Sequence, residues 1–333
     1  MKNFGALSAI ALLAACSGIG SHAAPILPSS EAASQAAAKG HGKYNGQVFV
    51  SDLDSATVWI CPANFKDIQL GYLAATGQLQ GVSNPSQLAV DSKGTIYVAN
   101  AQVDASGAGS IGEYPRGATS PARTLTTGLN TTTGVAVDSN GTVYASNKYL
   151  GSVVVYPKGK SVPSETITAN LTGPDGLAVD AKDNLYIADS SANDVFELTQ
   201  GSKTPRSLKL TKIARPVGVA IDSSGDIFVS NMLGAKSTVT MYAPGATTPK
   251  ATIVVPGPPY NSSESTIAEP AMLSVAQPGD ILIVSAPLTL ALIGGAEWFG
   301  YVPAVVGYAA GQTQPAWSQY QTTGYDAVFQ PEK

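Results

Sequence analysis

Short apolar runs separated by polar turns recur along the chain at a nearly constant interval. Four of these runs align without gaps, share an Ala at their third position, and end at Asp91, Asp138, Asp180 and Asp222. Successive copies lie 42 to 47 residues apart. After a short turn, each copy continues with a second apolar run that ends in Asn or Asp, at Asn100, Asn147, Asp189 and Asn231. Short apolar runs bounded by turn residues predict β-strands.

Each repeat also contains a third and a fourth short run. The third run carries a tyrosine in most copies, at Tyr114, Tyr156 and Tyr242. A Gly follows it and a Pro comes four residues later, in the pairs Gly117/Pro121, Gly159/Pro163, Gly201/Pro205, Gly245/Pro249 and Gly311/Pro315. Four short strands cannot bury both of their faces alone, so neighbouring repeats must stack. Four strands per repeat in a radial array predict the blade of a β-propeller.

The last repeat diverges and the first repeat is incomplete. The fifth copy has apolar runs at 270–275, 281–285 and 305–308. Near the N-terminus, 47–52 and 58–61 match a second and a third strand with no first strand before them. The C-terminal run 325–329 can supply that strand, and pairing the N- and C-terminal strands closes the ring and removes exposed edges. We therefore predict an all-β, six-bladed β-propeller of four-stranded blades over residues 46–333.

The composition fits this architecture and excludes one class of partner. Charged residues make up 13% of the chain, against roughly 25% in typical soluble proteins, and the chain has 34 Gly and 22 Pro. Many turns and few amphipathic helices follow from this. The net charge is −4, and Lys and Arg do not cluster into a stripe. Because nucleic-acid binding needs a basic patch, we predict no nucleic-acid partner.

The N-terminal residues predict export. Lys2 precedes an apolar stretch at 4–13 that is too short to anchor in a bilayer as a helix. It ends in Leu13-Ala14-Ala15-Cys16, which resembles the lipobox of bacterial lipoproteins, and this resemblance implies that Cys16 carries lipid. The alternative is an ordinary signal peptide cleaved after Ala23 or Ala24. Residues 1–16 are thus interpreted as a signal peptide with lipobox, and 17–45 as a flexible tether rich in Ser, Ala, Gly and Pro.

This interpretation sets the expected location. A lipidated chain is extracytoplasmic, in a bacterial cell envelope, and contacts the membrane through its lipid anchor only. Ser17 after Cys16 resembles the signal for sorting to the outer membrane. The alternative signal peptide would give a secreted protein.

The repeat also resembles a known group of propellers. The pattern Pro-x-Gly-[Leu/Val]-Ala-[Val/Ile]-Asp, followed by a turn and Tyr-[Val/Ile]-[Ala/Ser]-[Asn/Asp], is similar to NHL repeats. It also resembles propellers of the senescence-marker-protein/gluconolactonase superfamily and virginiamycin B lyase. The resemblance covers residues 46–333 and implies the fold, but it does not imply one function, because propellers support many unrelated activities.

Most recurring polar and aromatic residues are interpreted as structural. The Asp set of the first run and the Asn/Asp set of the second run are expected to accept hydrogen bonds from turn N–H groups. The aromatic set Phe49, Tyr97, Tyr144, Tyr186 and Phe228 is expected to pack between blades. Cys61 aligns with the third-run tyrosines, so we predict a buried core residue rather than a nucleophile.

Histidine is restricted to the predicted tether. His22 and His41 are the chain's two histidines, so residues 46–333 contain none. Mechanisms that need an imidazole base or a histidine-bound zinc ion are therefore disfavoured for the propeller. Ser-His-Asp catalysis is excluded within it.

One metal-dependent route needs no histidine. Gluconolactonase-type propellers use Glu, Asn and Asp oxygens to hold a divalent cation such as Ca²⁺ at the mouth of the central channel. The segment Pro174-Asp175-Gly176 matches one of their motifs, which makes Asp175 a candidate metal ligand. The equivalent positions of the other copies, Ser86, Thr133, Val217 and Ala271, do not complete the set. A plain turn-forming role is the alternative for Asp175.

A longer connection in the fifth copy is the second candidate region. Strands alternate in direction within a blade, so connections between second and third strands lie on the same face as connections between blades. Asp175 and the insertion at 287–303, with Trp298, Phe299 and Tyr301, are predicted on that face. The insertion is a packed cap over the channel, a bilayer-facing flap or a binding loop, since exposed aromatic residues are typical of binding surfaces.

These observations favour a function without catalysis. The repeat contains no catalytic constellation, so we expect an exported, membrane-tethered binding or scaffold module for a protein, a peptide or a glycan. A metal-dependent hydrolase of the gluconolactonase type is the alternative, with Asp175 as one cation ligand.

Overall fold

The computed structural model describes residues 46–52, 56–62, 76–101, 107–232 and 238–254, and the segments 273–276, 281–286, 289–293, 296–300, 304–308, 317–319 and 324–331. Side chains are described only as far as residue 254. Cys16, the predicted signal peptide, the predicted tether and Tyr301 lie outside these ranges. None of the helical structure in the described part is long and apolar enough to cross a membrane.

The regular structure of the described residues consists of 26 β-strands and one short 3₁₀ turn. The N-terminal strands are β1 (Gly46–Asp52), β2 (Thr57–Pro62) and β3 (Gly77–Gln78). The strands of residues 85–254 form four-stranded antiparallel sheets in which sequence neighbours pair. This architecture confirms the prediction of an all-β propeller.

Blades 1 and 2 are built from consecutive strands. Blade 1 contains β4 (Pro85–Val90), β5 (Ile96–Asn100), β6 (Ser110–Tyr114) and β7 (Arg123–Leu125). Blade 2 contains β8 (Thr132–Val137), β9 (Val143–Asn147), β10 (Ser152–Tyr156) and β11 (Glu165–Ile167), with the 3₁₀ turn Lys148–Leu150 between β9 and β10.

Blades 3 and 4 repeat the same plan. Blade 3 contains β12 (Pro174–Val179), β13 (Leu185–Asp189), β14 (Asp194–Leu198) and β15 (Arg206–Ser207). Blade 4 contains β16 (Pro216–Ile221), β17 (Ile227–Asn231), β18 (Thr238–Tyr242) and β19 (Ala251–Val254).

Blade 5 is interrupted by a hairpin. Its sheet begins with β20 (Leu273–Ala276) and β21 (Ile281–Ala286). The hairpin of β22 (Thr289–Ile293) and β23 (Ala296–Gly300) follows as a separate two-stranded sheet. The blade is completed by β24 (Ala304–Tyr308) and β25 (Trp317–Gln319).

The remaining four-stranded sheet unites the two ends of the chain. The last strand, β26 (Gly324–Pro331), pairs with β1, and the strand order is β26, β1, β2, β3. We call this the terminal sheet. Blades that are continuous in sequence therefore number five, one fewer than the six predicted, and the sixth four-stranded sheet is this composite one.

The core lies between successive sheets. One apolar cluster joins blade 1 to blade 2, a second joins blade 2 to blade 3, and a third joins blade 3 to blade 4. A fourth cluster joins the terminal sheet to blade 1 through Phe49, Val58 and Ile60 on one side and Leu88 and Ile96 on the other. Stacking of this kind buries apolar surface that a single blade would leave exposed.

The recurring Asp and Asn residues are structural, as predicted. The Oδ1 atoms of Asp91, Asp138, Asp180 and Asp222 accept hydrogen bonds from the backbone N–H four residues later, at 2.8 to 2.9 Å. The side-chain oxygens of Asn100, Asn147, Asp189 and Asn231 accept from the loop that enters the same blade, at 2.8 to 3.0 Å. These eight side chains stabilise turns and loops.

The predicted aromatic packing between blades is confirmed for four of the five residues, whereas Phe228 is buried but belongs to none of the apolar clusters found among the described residues. Phe49 and Tyr97 belong to apolar clusters between sheets, and Tyr144 and Tyr186 pack against such clusters. Cys61 lies on β2 with its backbone opposite Val48, but its side chain is outside the described part, so its burial stays a prediction.

Candidate functional site

Asp175 is the second residue of β12, the first strand of blade 3, and is 1% exposed. Its Oδ1 lies 2.8 Å from Nζ of Lys148. Lys148 belongs to the connection between β9 and β10 of blade 2, so the ion pair joins two blades. A turn-forming Asp would accept N–H groups of its own turn, and the observed partner is instead a cation from the neighbouring blade.

The connection that carries Lys148 is held in a fixed conformation. The Lys148 N–H donates to Thr131 O at 3.4 Å, and the Gly151 N–H donates to Lys148 O at 3.3 Å. Gly151 has a φ of 56°, in the left-handed region that closes such a turn. The ammonium group is therefore placed by the backbone as well as by its partner.

Burial dominates the electrostatics of Asp175. Desolvation raises the pKa of its carboxyl, while Lys148 and the Ser190 hydroxyl lower it and nearby Asp189 raises it further. The second oxygen, Oδ2, is buried and has no hydrogen-bond partner among the described residues. A buried acceptor without a donor is costly, and such atoms often belong to sites that a ligand completes.

The backbone around Asp175 is packed tightly against blade 2. The Ser146 hydroxyl donates to Asp175 O at 2.8 Å and accepts from the Gly134 N–H at 2.6 Å. A Cβ atom at Gly134 would lie 2.1 Å from Asp175 O. Glycine is required at this position because the strands β8 and β12 approach so closely.

The buried side chain of Gln87 lies against the inner strands of blades 2 and 3. It occupies the first-run position at which the next three blades have Gly134, Gly176 and Gly218. Its Nε2 donates to Leu177 O at 2.7 Å, and its Oε1 accepts from the N–H groups of Leu177 and Val135 at 2.9 and 3.0 Å. One buried side chain of blade 1 thus binds the inner strands of blades 2 and 3.

Two large apolar side chains are exposed beside the Lys148–Asp175 pair. Tyr149 is 76% exposed and Leu150 is 60% exposed, and both follow Lys148 in the same 3₁₀ turn. We call the face that carries this turn, the β13–β14 connection 190–193 and the starts of the inner strands the upper face. Val162, which is 69% exposed, lies in the β10–β11 connection on the opposite, lower face.

The sequence analysis missed Tyr149 and Leu150. The available signal was an apolar pair one residue after the second strand, where blade 3 has Ser191 and Ala192 instead. Neither residue fits the repeat, and both lie in a connection that needs no apolar side chain for packing.

The predicted aromatic insertion forms the hairpin within blade 5. Trp298 and Phe299 lie on β23, and their backbone partners on β22 are Ala291 and Leu290. The hairpin connects β21 to β24, the second and third strands of the blade, which is the position predicted for it. The choice between a cap, a bilayer-facing flap and a binding loop stays open, and Tyr301 lies outside the described residues.

The described side chains do not assemble a metal site around Asp175. Within the ranges given above, there is no group of three or more His, Cys, Asp or Glu placed to hold a metal ion. The charge beside Asp175 is the ammonium of Lys148, and its Oδ2 is the atom still available to a cation or a donor.

Comparison with known proteins supports the fold alone. No family model and no curated protein matches the sequence. Among solved structures, a chain from the nidogen/laminin complex is similar with a TM-score of 0.59 and 15% identity, covering 85% of this chain and 98% of that chain. A protein from Lactobacillus plantarum has a TM-score of 0.58 and 15% identity, covering 86% and 99%.

Proposed function

We propose that this protein is a binding module that engages a partner through the upper face. The observation that carries the proposal is the pair of exposed side chains, Tyr149 and Leu150, on a turn fixed by the Lys148–Asp175 ion pair. Aromatic and aliphatic side chains on a rigid frame are typical of binding hot spots, since little conformational freedom is lost on binding.

The partner class is a protein, a peptide or a glycan, and a protein is favoured. One similar solved chain comes from a complex of two proteins, nidogen and laminin. Tyr149 follows the charged Lys148, whose partner Asp175 also interacts with the Ser190 hydroxyl, and this mixture of apolar and polar groups is typical of protein interfaces. The hairpin with Trp298 and Phe299 would extend the same face.

Site-specific photo-crosslinking tests this proposal. A benzophenone amino acid placed at Tyr149 is expected to capture a discrete partner in cells of the native host. The same amino acid at Val162, equally exposed on the lower face, serves as the control. Sensitivity of the adduct to protease or to glycosidase distinguishes a protein from a glycan. Equal capture at both positions, or none at Tyr149, would reject the upper face as the binding surface.

A metal-dependent hydrolase of the gluconolactonase type is the second candidate, with a divalent cation such as Ca²⁺. The observation that favours it is the buried Oδ2 of Asp175, which has no donor among the described residues. Carboxylate oxygens suit hard cations. Lactone hydrolysis would be measured with Ca²⁺, Mn²⁺ or Zn²⁺ for the wild type and for Asp175→Ala. A rate of lactone hydrolysis that changes neither with added metal nor with the Asp175→Ala substitution would remove this candidate.

We also propose a closed six-bladed ring, in which the terminal sheet is the sixth blade. Support comes from the inner strands, because β26 contacts both β4 of blade 1 and β20 of blade 5. The repeat pattern further supports a relationship to NHL-type propellers. A sequence profile built from the four regular repeats would test that relationship by whether it retrieves NHL proteins before other propellers.

Export and a lipid anchor complete the proposal. The support is the sequence Leu13-Ala14-Ala15-Cys16 after a short apolar stretch. The substitution Cys16→Ser is expected to move the protein from the membrane fraction of a bacterial envelope to the soluble fraction. Unchanged fractionation, together with no incorporation of labelled palmitate in the wild type, would favour the alternative signal peptide.

A further inference from the structure

The connection between β15 and β16 carries a basic residue at every third position. These residues are Lys209, Lys212 and Arg215, and all three are exposed. We call residues 208–215 the basic connection. The five ion pairs found among the described residues include none of the three. The basic connection therefore exposes three cationic side chains that have no ion-pair partner among the described residues.

All three residues have an unfavourable backbone conformation. Their φ angles are 52° for Lys209, 64° for Lys212 and 46° for Arg215, which places each in the left-handed region. Residues other than glycine avoid this region, and Asn and Asp are the usual exceptions. Long basic side chains relieve none of this strain. Asn84 and Thr131 have the same conformation as Arg215 directly before blades 1 and 2, so at 215 the fold sets the backbone and only the choice of a basic residue is particular to this connection. At Lys209 and Lys212, a strained conformation kept by exposed residues points to a role other than packing.

The other blades show what the fold itself requires here. Tyr114, Tyr156 and Tyr242 donate to the carbonyl groups of Gln80, Thr127 and Thr211 respectively. The residue after each carbonyl has a positive φ, and it is Gly81, Gly128 or Lys212. In the connection before blade 3, the corresponding residue is Asn170, which also has a positive φ. Among the four connections of this kind that the structure describes, three have glycine or asparagine at this position and the basic connection has a lysine.

The surrounding structure holds the strained segment in place. The N–H groups of Lys209, Thr211 and Arg215 donate to Ser207 Oγ, Thr247 O and Asn193 Oδ1, at 3.0, 2.8 and 2.6 Å. Between the basic residues, Leu210 is buried in the cluster between blades 3 and 4, and Leu208 and Ile213 pack against that cluster. The apolar side chains face inward, so the segment presents charge to solvent on a rigid frame.

We propose that the basic connection binds an acidic segment of a protein partner, which would supply Asp or Glu carboxylates to Lys209, Lys212 and Arg215. The proposal rests on the binding function assigned to the upper face and names the chemistry of its partner. Continuity between the two regions comes from the Arg215–Asn193 hydrogen bond, because Asn193 belongs to the upper-face connection 190–193. A bilayer fits less well, since the basic connection offers no exposed apolar side chain for insertion.

Peptide selection with charge-reversed variants tests the proposal. A phage-displayed library of random peptides would be panned on the wild type and on Lys209→Glu, Lys212→Glu, Arg215→Glu combined. The control combines Lys158→Glu, Lys160→Glu and Lys182→Glu, which are exposed and lie on the lower face. Peptides rich in Asp and Glu are expected from the wild type and the control. Their affinity for the first variant should fall roughly tenfold, because three exposed ion pairs each contribute about twofold.

A second variant separates binding from folding. Lys209→Gln with Lys212→Gly and Arg215→Asn removes the charges. It restores the glycine of Gly81 and Gly128 at 212 and the asparagine of Asn84 at 215, which sister connections use at these places. Its melting temperature should equal or exceed that of the wild type because the left-handed positions are relieved. Acidic peptides should nevertheless bind it more weakly. Unchanged binding by this variant overturns the proposal.

Two further outcomes also overturn it. One is selection of peptides without acidic enrichment. The other is charge-dependent binding of phosphatidylglycerol vesicles or polygalacturonate by the wild type when no acidic peptide binds. Failure here is distinct from failure of the proposed function, because crosslinking at Tyr149 does not depend on the basic connection.

Discussion

At the scale of single residues, the pairing of Lys148 with Asp175 controls the stability of the junction between blades 2 and 3. The substitution Lys148→Met leaves a buried carboxylate without its cation. Breaking a buried pair in this way costs about 3 kcal/mol at neutral pH. Urea unfolding would measure it, and Asp175→Asn in the same chain should restore most of the loss. Lys160→Met, at an exposed position on the lower face, is the control and should be neutral.

The same pair has a defined pH dependence. Burial raises the pKa of Asp175 above the ordinary value of 3.8, so the folded state binds its proton more tightly than the unfolded state. The contribution of this group is greatest in acid and falls as pH rises from about 4 through the raised pKa. Removing Lys148 raises the pKa further. The stability difference between Lys148→Met and the wild type should therefore vanish near pH 3 and grow toward pH 7. A pH-independent difference would contradict this assignment.

Buried tyrosines set the upper end of the pH range in which the folded protein is stable. Burial raises the pKa of Tyr114 and of Tyr156 from 10.0 to about 12. Between pH 10 and 12 the unfolded chain loses protons that the folded chain keeps, so stability decreases as pH rises. Tyr114→Phe with Tyr156→Phe should cost about 1 kcal/mol per hydrogen bond at pH 8. In this variant, the urea concentration at the midpoint of unfolding should decrease less steeply with rising pH than in the wild type, up to about pH 11.5. A slope equal to that of the wild type would show that other groups set this limit.

At the scale of strands, the close approach of β8 to β12 depends on one glycine. A methyl group at Gly134 would meet Asp175 O at 2.1 Å. Since backbone cannot move aside cheaply, Gly134→Ala should destabilise the protein by about 3 kcal/mol in urea unfolding. Gly77→Ala is the control, because a Cβ there would have its nearest neighbour at an ordinary 3.8 Å and the φ is not positive. Similar effects at the two positions would contradict the close approach.

The strands were predictable and the site was not, for a physical reason. Strand positions follow from apolar alternation and turn residues, which repeat along the sequence, so β4, β8, β12 and β16 were found from the repeat alone. The Lys148–Asp175 pair joins residues of different repeats and has no local pattern. The basic connection has its charges three residues apart, and their left-handed backbone conformation is a property of three-dimensional structure. The sequence shows no clustered basic stripe, so the basic connection is not recognisable from it.

At the scale of the whole molecule, pairing of the two chain ends can be tested by a crosslink. Val50 on β1 lies opposite Ala327 on β26. Cysteines at these positions, with Cys16 and Cys61 changed to Ser, should form a disulfide. Because the closed loop exceeds 100 residues, the bond is expected to stabilise the protein by roughly 4 kcal/mol. Val50→Cys with Gln330→Cys is out of register and should not oxidise. Equal oxidation of both pairs would contradict the observed register.

Gln87 has a consequence for how the molecule folds. The hydrogen bonds between its side-chain amide and the Leu177 backbone join residues 90 positions apart, so they form only after the intervening blade is in place. We expect these hydrogen bonds to form after the rate-limiting step, because closing so long a loop has a large entropic cost until the blades between them are assembled. Loss of such contacts accelerates unfolding and leaves the folding rate unchanged. Gln87→Ala should therefore increase the unfolding rate, while the folding rate and the slopes of both chevron limbs stay unchanged. This one side chain then affects how long the assembled propeller persists rather than how fast it is made.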